Sequence, residues 1–547
     1  MAKRAHAYPQ ASVVAGDLVD VAVTAAPAGV VVRDALALVR KRDAAALAAG
    51  ARYVLREDLA RASLLGLDTA RAAVLARELP AVDARAGEIA VRRLFMDGAR
   101  LVIVRGRKGP MGAVAGRGVA RDVATSAAAR VVRCVPAQTR ALLDSIGRLA
   151  AAEGARAYLV GGTVRDVWRE TPIARRDLDI VVEGNGPAVA RRLARELGGT
   201  LLEHRRFLTA SVETPRAGRI DVATARAERY ESPGALPRVM PASIDEDLKR
   251  RDFTLNAMAI ELASGAYGLL DPFGGRVDLG RRRLSVLHPL SYVEDPTRMF
   301  RAARYAARLG LSPDRATARA QALALSLVPY PALSGQRLTN ELVLILGEER
   351  AAAALASLGS AGAFRLLDAR YRFTAETRRR CEGVSAALAW AHGRGLDVTS
   401  VDLLVLALVA DQPRAVADAA LGRLAFSGEP LARLGRALDG GAALGARLAT
   451  LVSPSTRARE LRDRAPVELS WLWLLGGAGA RAILDWYAAL GKDGAALTGD
   501  DVVALGVPRG PAVARVLAEL RDGRLDGRLT DRSMEIEHVR QWVTKGG

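Results

Sequence analysis

The chain has 547 residues, of which 50% are hydrophobic and only 4% are aromatic. This length predicts about two to four domains, and the abundance of alanine, leucine and valine favours helices over an all-β sandwich. The formal net charge of +20 favours a polyanionic partner such as nucleic acid. The alternative is the compositional bias of a GC-rich genome, because arginine rather than lysine dominates the basic residues.

The chain shows no pattern of a secreted or membrane protein. Its longest uncharged apolar stretch is far shorter than the roughly 20 residues of a membrane span, and its start has no apolar segment of the kind that a secretory signal needs. The two cysteines are distant in sequence and the five histidines are scattered, so the sequence suggests neither a disulfide framework nor a Cys/His zinc site. We therefore expect a cytoplasmic protein without a membrane partner.

Two copies of one pattern, strand, helix, strand, strand, helix, are predicted from Val30 to Asp122. The first copy comprises the strand VVV, the helix ALALVRKRDAAALAA and the segment ARYVLREDLARASLL; the second comprises LPAVDA, GEIAVRRLFMDGA, LVIVRG and GAVAGRGVARD. Together they resemble a pair of CBS motifs, a module that often binds adenine nucleotides. Ligand-binding copies carry a hydroxyl residue three positions before an aspartate, whereas Asp58 and Asp122 here follow Leu55 and Val119. The resemblance therefore implies a structural or docking role, and the pair is a candidate surface for homo-oligomer formation.

The rest of the chain divides into an α/β part and a helical part. Residues 136–153 predict one helix with Pro136 in its first turn. From Tyr158 to about His288 strands and helices alternate, which is typical of an α/β domain. Beyond Pro289 the pattern is helical almost throughout. These patterns predict a multidomain fold that combines α/β domains with an all-α region.

A candidate phosphate-binding turn lies in YLVGGTVRD, where an apolar strand runs into Gly161 and Gly162 and a helix is predicted from about Thr163. Glycines let backbone amides approach a phosphate closely, and a helix N-terminus adds partial positive charge. Arg165, one turn into that helix, is placed to contact the same phosphates. A lone Gly-Gly turn is more often structural, so this interpretation depends on the segments that follow.

Asp177 and Asp179 begin the apolar strand of RRDLDIVVEG. Residues two apart on a strand project from one face. Two like charges so close are unfavourable unless a cation lies between them, and such hard oxygen ligands suit Mg²⁺ that bridges to substrate phosphates. Asp221, on the strand-like run GRIDVATAR, is the candidate third carboxylate. In isolation, an Asp-x-Asp pair is also frequent on protein surfaces.

The segment DEDLKRRDFTLNAMAIEL places Arg250, Arg251, Asp252 and Asn256 ahead of an apolar run. The pattern predicts the charged start of a helix, with Asp252 as a possible cap. The following segment, LLDPFGGRVDLGRRRL, predicts a turn-rich pair of strands.

YVEDPTRMFRAARYAARLG predicts a helix with Pro296 in its first position and Asp295 as its N-cap. Arg298, Arg301 and Arg304 follow at steps of three and therefore lie on successive turns.

In order, the GGxVRD turn, the DLD strand, DVATARAERY, RRDFTLNA and EDPTRMFRAAR resemble the tRNA nucleotidyltransferase and bacterial poly(A) polymerase family, class II of the polymerase-β nucleotidyltransferase superfamily. They span about Tyr158 to Leu311. The resemblance implies a catalytic head at residues 136–290, a neck with a nucleotide-reading helix at 291–350, and an RNA-binding body and tail at 351–547. The CBS-like pair then occupies residues 1–135.

The family's site residues map onto this sequence motif by motif. The resemblance implies that Asp177 and Asp179 bind the metal, Mg²⁺, and that Asp221 is the third catalytic carboxylate. It implies nucleotide-binding roles for Gly161, Gly162, Arg165, Arg251, Asp252, Asn256, Asp295, Arg298, Arg301 and Arg304.

The base-reading step has a physical basis. CTP and ATP each present an exocyclic amine beside a ring-nitrogen acceptor, so a carboxylate such as Asp295 and a guanidinium such as Arg298 satisfy both. GTP and UTP place a carbonyl where that amine lies, at a cost on the order of 1–3 kcal/mol per mispaired contact. Because Asp295 cannot fully cap a helix and read a base at once, Glu294 is a candidate to share one of these tasks.

The activity implied is template-independent addition of C and/or A nucleotides from CTP and ATP to tRNA 3′ ends, by two-metal in-line transfer with release of pyrophosphate. The motifs leave CCA, CC, A and poly(A) addition open, and a flexible loop within Glu228–Ile244 is expected to help decide among them. An alternative from another class is a catalytically dead nucleotide sensor with the CBS-like pair as its output. The full set of catalytic carboxylates favours the enzyme.

Overall fold

The structure is a computed structural model that describes residues 13–116, 127–173, 178–204, 207–214, 218–263, 266–490 and 494–545. The chain forms two compact units, Met1–Leu333 and Ser334–Gly547. No helix in these described ranges combines the length and apolar character that a membrane crossing requires.

The N-terminal part of the first unit contains two three-stranded sheets of the same topology. In each sheet a helix joins two parallel strands, and a third strand pairs antiparallel with the second. The first repeat comprises β1 (Ala22–Ala25), α1 (Val32–Lys41), β2 (Ala44–Ala49), β3 (Arg52–Leu55) and α2 (Arg56–Leu64). The second comprises β4 (Ala81–Asp83), α3 (Glu88–Met96), β5 (Leu101–Gly106) and β6 (Gly109–Ala115). The last helix predicted for the second repeat falls largely on residues outside the described ranges.

Two elements of the first repeat correct the prediction. The valines 30–32, expected as a strand, lead into α1, and the first strand is β1. Residues 44–49, expected at the end of a helix, form strand β2 after Asp43 takes a positive φ of 43°. Alanine favours helices, but β2 pairs with a strand on each side, and this tertiary pairing overrides the local propensity.

A seven-stranded sheet forms the centre of the head, in the order β15-β14-β7-β8-β11-β10-β9. Its strands are β7 (Arg156–Val160), β8 (Leu178–Glu183), β9 (Thr200–His204), β10 (Thr209–Thr214), β11 (Gly218–Thr224), β14 (Ala259–Glu261) and β15 (Leu269–Leu270). Only β8 and β11 pair in parallel, and the other neighbours are antiparallel. The helices of this part of the chain are α4 (Ala128–Cys134), α5 (Ala137–Ala152), α6 (Gly162–Trp168) and α7 (Gly186–Leu197).

The two faces of this sheet are different. Alternate residues such as Ile180 and Val222 are buried together with apolar residues of α5 and α7 in one large core. The residues between them, including Asp179 and Asp221, point to the opposite face because side chains alternate along a strand. The sheet thus separates the core from the candidate site.

The remainder of the first unit consists of further strands and helices. They are β12 (Arg226–Arg229), β13 (Arg238–Pro241), α8 (Ile244–Lys249), α9 (Gly275–Gly280), β16 (Arg283–Leu284), α10 (Ser291–Glu294), α11 (Arg298–Leu309), β17 (Ser312–Pro313) and α12 (Arg315–Ser326). The segment Glu228–Ile244, predicted to contain a loop, spans most of the antiparallel hairpin β12–β13 and reaches the start of α8.

Two further predictions are corrected here. The apolar run after Asn256, expected as a helix, contains strand β14, which pairs with β7 and extends the sheet. LLDPFGGRVDLGRRRL, expected as a pair of strands, contains the helix α9 between β15 and β16. In the first segment, pairing with the distant strand β7 decides between structures that the local sequence permits.

The second unit is helical, as the sequence predicted. Its helices are α13 (Gly335–Leu346), α14 (Ala351–Ser360), α15 (Ala375–His392), α16 (Ser400–Val409), α17 (Arg414–Arg423), α18 (Gly428–Thr450), α19 (Pro454–Leu461), α20 (Pro466–Leu475), α21 (Ala478–Ala489), α22 (Gly499–Ala504), α23 (Pro511–Leu525) and α24 (Arg532–Thr544). Helix α16 is apolar nearly all round and is buried among its neighbours. Trp390 stacks on Trp473 with ring centroids 5.7 Å apart and links α15 to α20.

Candidate active site

Asp179 and Asp221 are direct neighbours on the open face of the head sheet. Strands β8 and β11 run parallel, and their register places Asp179 opposite Asp221. Neighbours in register on parallel strands project to the same side, so the two predicted carboxylates meet. Asp177, two positions earlier in the chain, lies outside the described residues, and its metal-binding role stays a prediction.

Gly161 closes one side of this carboxylate pair. It has φ 72° and ψ −140°, a conformation that is essentially restricted to glycine. A Cβ atom at this position would lie 3.3 Å from Asp179 Oδ2 and 3.9 Å from Arg251 Nη1. The Asp179 carboxylate and the Arg251 guanidinium therefore converge on the turn that begins α6, with Gly162 as its first helical residue.

Asp221 is held by two donors. Ser211 Oγ donates to its Oδ1 over 2.5 Å, and Arg219 Nε donates to the same atom over 2.9 Å. Asp179 is exposed, whereas Asp221 is partly buried. Their carboxylate oxygens are the donor type that Mg²⁺ takes in proteins. Considering only the residues that the structure describes, no group of three or more His, Cys, Asp or Glu side chains is close enough together to hold a metal ion.

Asp247 anchors both arginines of the RRDFT motif. Its Oδ1 accepts hydrogen bonds from Arg250 Nε (3.0 Å) and Nη2 (2.8 Å), and its Oδ2 accepts one from Arg251 Nη2 (2.9 Å). Burial alone would raise the pKa of the Asp247 carboxyl, but the two guanidinium groups hold it below its ordinary value. Asp247 was not among the predicted site residues. Its spacing of three and four residues from the arginines is the signal that identifies such an anchor.

A buried network connects three of the predicted motifs. Arg165 Nη1 donates to Asn256 Oδ1 over 3.1 Å, and Asn256 Nδ2 donates to Asp252 Oδ1 over 3.0 Å. Arg301 Nε then donates to Asp252 Oδ2 over 2.8 Å. Burial would raise the pKa of the Asp252 carboxyl, but Arg301 and Asn256 outweigh that effect and lower it. Asp252 therefore bridges RRDFTLNA to α11, and it does not cap a helix as predicted.

Arg165 has protein partners on all three of its guanidinium nitrogens. Nε and Nη2 donate to the two carboxylate oxygens of Asp166 over 3.1 and 3.2 Å, and Nη1 binds Asn256. The side chain is 4% exposed, and its guanidinium lies 5.6 Å from the centre of the Tyr305 ring. These contacts tie α6 to the RRDFTLNA segment and to α11, while the phosphate contact expected of Arg165 stays a prediction. Asp166 and Tyr305 were not predicted as members of this network.

Asp295 caps a turn that precedes α11, the helix predicted to read the nucleotide. Helix α11 begins at Arg298, two residues later than predicted from Pro296. Asp295 Oδ1 accepts hydrogen bonds from Thr297 N (3.0 Å) and Thr297 Oγ1 (2.6 Å), the pattern of an Asx-turn that leads into the helix. Asp295 remains partly exposed, whereas Glu294 is buried, so Asp295 is the carboxylate of this segment that a nucleotide can reach.

Arg298 is buried and binds protein atoms through both terminal nitrogens. Nη1 donates to Ser291 Oγ and Nη2 donates to the Arg250 carbonyl oxygen, each over 2.8 Å. Burial would lower the pKa of the Arg298 guanidinium, but a neighbouring tyrosine and nearby carboxylates raise it. Arg301 and Arg304 follow on the next turns and are partly buried. Arg298 thus joins α11 to the RRDFT motif.

Known proteins resemble this chain over its head and beyond. The poly A polymerase head domain family matches residues 157–285. An A-adding tRNA nucleotidyltransferase from Geobacter sulfurreducens is 31% identical over 423 residues, which is 74% of this chain and 47% of that protein. A CC-adding tRNA nucleotidyltransferase from Deinococcus radiodurans is 34% identical over 408 residues, 74% of this chain and 94% of that protein.

The fold is also similar to that of a solved structure, the Thermotoga maritima CCA-adding enzyme complexed with tRNA. The TM-score is 0.63 at 25% sequence identity, and the match covers 76% of this chain and 98% of that chain. The chain spans about half the length, or less, of the A-adding relatives that it matches.

The head match includes the glycine turn, the DLD strand and RRDFTLNA, which are the motifs that carried the resemblance. The similarity to the CC-adding relative extends over nearly all of that protein. On these grounds, the chain belongs to the tRNA nucleotidyltransferase and poly(A) polymerase family.

Proposed function

We propose that this chain is an enzyme that transfers C and/or A nucleotides from CTP and ATP to the 3′ end of tRNA, without a template and with release of pyrophosphate. The observation that carries the proposal is the in-register pair Asp179 and Asp221 beside Gly161 and Arg251. The acceptor is proposed from the relatives, which are named as A-adding, CC-adding and CCA-adding enzymes.

The proposed metal ligands are Asp177, Asp179 and Asp221. The two carboxylates on neighbouring strands supply hard oxygen donors, which fit Mg²⁺. When bound, Mg²⁺ lowers the pKa of the attacking hydroxyl and offsets the negative charge of the phosphates.

The remaining residues of the site position the nucleotide. The turn at Gly161 carries no side chain, so a phosphate can approach its backbone closely. Arg251, held in place by the buried Asp247 carboxylate, supplies positive charge to the triphosphate. The RNA 3′-hydroxyl then attacks the α-phosphate in line, and most of the rate comes from this positioning and from charge stabilisation.

Base selection is proposed for the segment at the start of α11. Asp295 accepts the exocyclic amine that cytosine and adenine share, and Arg298 donates to the adjacent ring nitrogen. The contacts of Arg298 to Ser291 and to the Arg250 carbonyl support a fixed geometry for this reading.

The helical unit at residues 334–547 is the proposed binding region for the tRNA acceptor arm. Duplex RNA exposes shape, phosphates and 2′-hydroxyls more than sequence, so we expect its arginines to bind the backbone. tRNA-modifying enzymes typically act in the cytoplasm, which is the compartment that we propose.

The test uses tRNA transcripts that end before CCA, after C and after CC, each incubated with protein, Mg²⁺ and labelled CTP or ATP. Sequencing of the products identifies the added nucleotides. We expect Asp179→Ala to abolish addition. Glu183→Gln is the matched control, because Glu183 lies at the other end of the same strand and pairs with Arg156, and this variant should remain active.

The pattern of products separates the alternatives. Addition of A only to the CC-ending tRNA defines an A-adding enzyme, and addition of C only to the two shorter tRNAs defines a CC-adding one. Long A tails on unrelated RNAs identify a poly(A) polymerase. If the folded, metal-supplied wild type extends no RNA, the proposed function is wrong.

A further inference from the structure

Helix α2 of the first N-terminal repeat is linked to the segment 287–298 through two charged residues, directly by Arg61 and through Arg77 by Asp58. Asp58 is fully buried and accepts a hydrogen bond from Arg77 Nη2 over 2.9 Å, and Arg77 Nη1 donates to the Leu287 carbonyl over 3.1 Å. One turn along α2, Arg61 Nε lies 3.0 Å from Glu294 Oε1. Asp58, the position at which CBS copies that bind ligands carry aspartate, is thus used for docking. Both contacts lead to the segment 287–298.

Glu294 is buried beside two arginines and a histidine. It is 6% exposed, and a buried carboxylate is costly unless it is paired. Arg61 is at 3.0 Å, His288 Nε2 is at 3.3 Å and Arg298 Nη1 is at 3.9 Å. Burial would raise the pKa of the Glu294 carboxyl, but these three groups lower it to about 2. Arg61 is the nearest of them, and it comes from a different part of the fold.

Glu294 in turn is connected to the proposed base-reading residues. It directly precedes Asp295, and its carboxylate faces the same Arg298 nitrogen that donates to Ser291. If Arg61 were absent, Arg298 and His288 would be the main remaining partners of the buried Glu294 carboxylate. A shift of Arg298 toward Glu294 would weaken its bond to Ser291 and disturb its contact to the Arg250 carbonyl.

We propose that Arg61 is a positioning residue for nucleotide selection: by pairing with Glu294 it keeps Asp295 and Arg298 in the geometry that reads the base. The N-terminal repeat therefore acts on the specificity of the head through an ion pair whose carboxylate is buried and whose arginine is partly exposed. This inference rests on the proposed function, because it concerns the selection of CTP and ATP over GTP and UTP.

The kinetic test compares Arg61→Ala and Arg61→Lys with the wild type. For Arg61→Ala we expect the KM for CTP or ATP to rise about tenfold, the effect of one charged hydrogen bond, and misincorporation of G and U to increase. The KM for tRNA should stay within about twofold. Arg61→Lys should recover part of the loss. Arg56→Ala is the matched control, because Arg56 lies on the same helix and pairs with the exposed Asp43.

A double-mutant cycle tests whether Arg61 acts through Glu294. Glu294→Gln removes the buried charge, so adding Arg61→Ala to it should raise the nucleotide KM little further, whereas independent effects would multiply. This comparison remains informative if Arg61→Ala alone folds poorly, because the neutral Glu294→Gln background removes the unpaired charge.

A second readout does not depend on activity. Burial lowers the pKa of the His288 imidazole to about 4, with Arg61 adding to this shift and Glu294 opposing it. The charged groups around the ring are Glu294, Arg298 and Arg61, together with Arg77 and Arg319 beside it. In Arg61→Ala, NMR should therefore show His288 protonating at a higher pH, with its signal assigned from His288→Gln. Arg56→Ala should leave it unchanged.

The outcomes are distinct. An active wild type whose nucleotide KM and base choice are unchanged in Arg61→Ala overturns this inference and leaves the proposed function intact. An unchanged His288 titration in that variant overturns it as well. A wild type that extends no RNA overturns both proposals.

Discussion

At the scale of single residues, Asp252 illustrates how one buried carboxylate ties together two motifs that are proposed to bind the nucleotide. Its two oxygens divide their contacts, one to Asn256 and the other to Arg301. A buried carboxylate with such partners is stabilised as the anion, and its lowered pKa makes the fold depend on pH.

We predict that Asp252→Asn lowers the free energy of unfolding by about 1–3 kcal/mol near neutral pH, the usual cost of losing a hydrogen bond to a charged partner. Because the folded-state pKa lies below the unfolded value near 3.9, the contribution of Asp252 is present above that value. It is lost as the pH falls through the folded-state pKa. Urea denaturation from pH 7 down to about pH 3 should show the difference from wild type narrowing in acid. Asp43→Asn, at an exposed position, should match the wild type throughout.

Gly161 combines backbone strain with proximity to the carboxylates, and a substitution tests both. We predict that Gly161→Ala lowers kcat/KM at least tenfold, because a Cβ atom would press on Asp179 Oδ2 and the backbone conformation costs about 1–3 kcal/mol for other residues. Gly154→Ala is the control: its φ is +66° but open space surrounds it, so it should lose stability without losing activity. Equal activity losses in the two variants would contradict the assignment.

At the scale of elements, the turn between α10 and α11 stabilises the start of α11 and is also proposed to recognise the base. Asp295 Oδ1 caps this turn through Thr297, and asparagine can do the same because its side chain retains that oxygen. An ionised aspartate, however, presents only hydrogen-bond acceptors to the base, whereas asparagine also presents an NH₂ donor.

We therefore predict that Asp295→Asn keeps the melting temperature of the wild type but relaxes the choice among the four nucleotides. Asp295→Ala should lower the melting temperature and relax base choice as well. Incorporation of each nucleotide into the same tRNA, measured beside thermal unfolding, tests the separation. Unchanged preference for CTP and ATP in both variants would exclude Asp295 as the reading residue.

At the scale of the whole molecule, the net charge of +20 predicts that tRNA affinity depends on ionic strength. Binding that neutralises phosphates releases counterions, and about six contacts weaken affinity roughly a thousandfold between 50 and 200 mM salt. Fluorescence anisotropy with labelled tRNA measures this slope. Glu183→Gln should show the same dependence of affinity on salt as the wild type. Affinity that does not change with salt would contradict binding through the RNA phosphates.

The sequence by itself determined the local parts of the site and the class of fold. The strand before Gly161, the helix after it, the strand that follows Asp177 and the helical second unit all follow from short-range patterns of apolar residues and glycines. The family was also accessible, because its motifs are continuous stretches of sequence. Each of these features depends on residues that are near one another in the chain.

Only the tertiary structure decided which of these parts touch. The register that sets Asp221 against Asp179, the strand at residues 44–49 and the pairing of Arg61 with Glu294 join residues that are remote in sequence. An alanine-rich run can form a helix or a strand, and an arginine on a helix can pair with many carboxylates. Which structure or partner is adopted depends on residues elsewhere in the chain. The proposed chemistry of the site therefore rests on the motifs, whereas the contacts that support those motifs come from packing between distant segments.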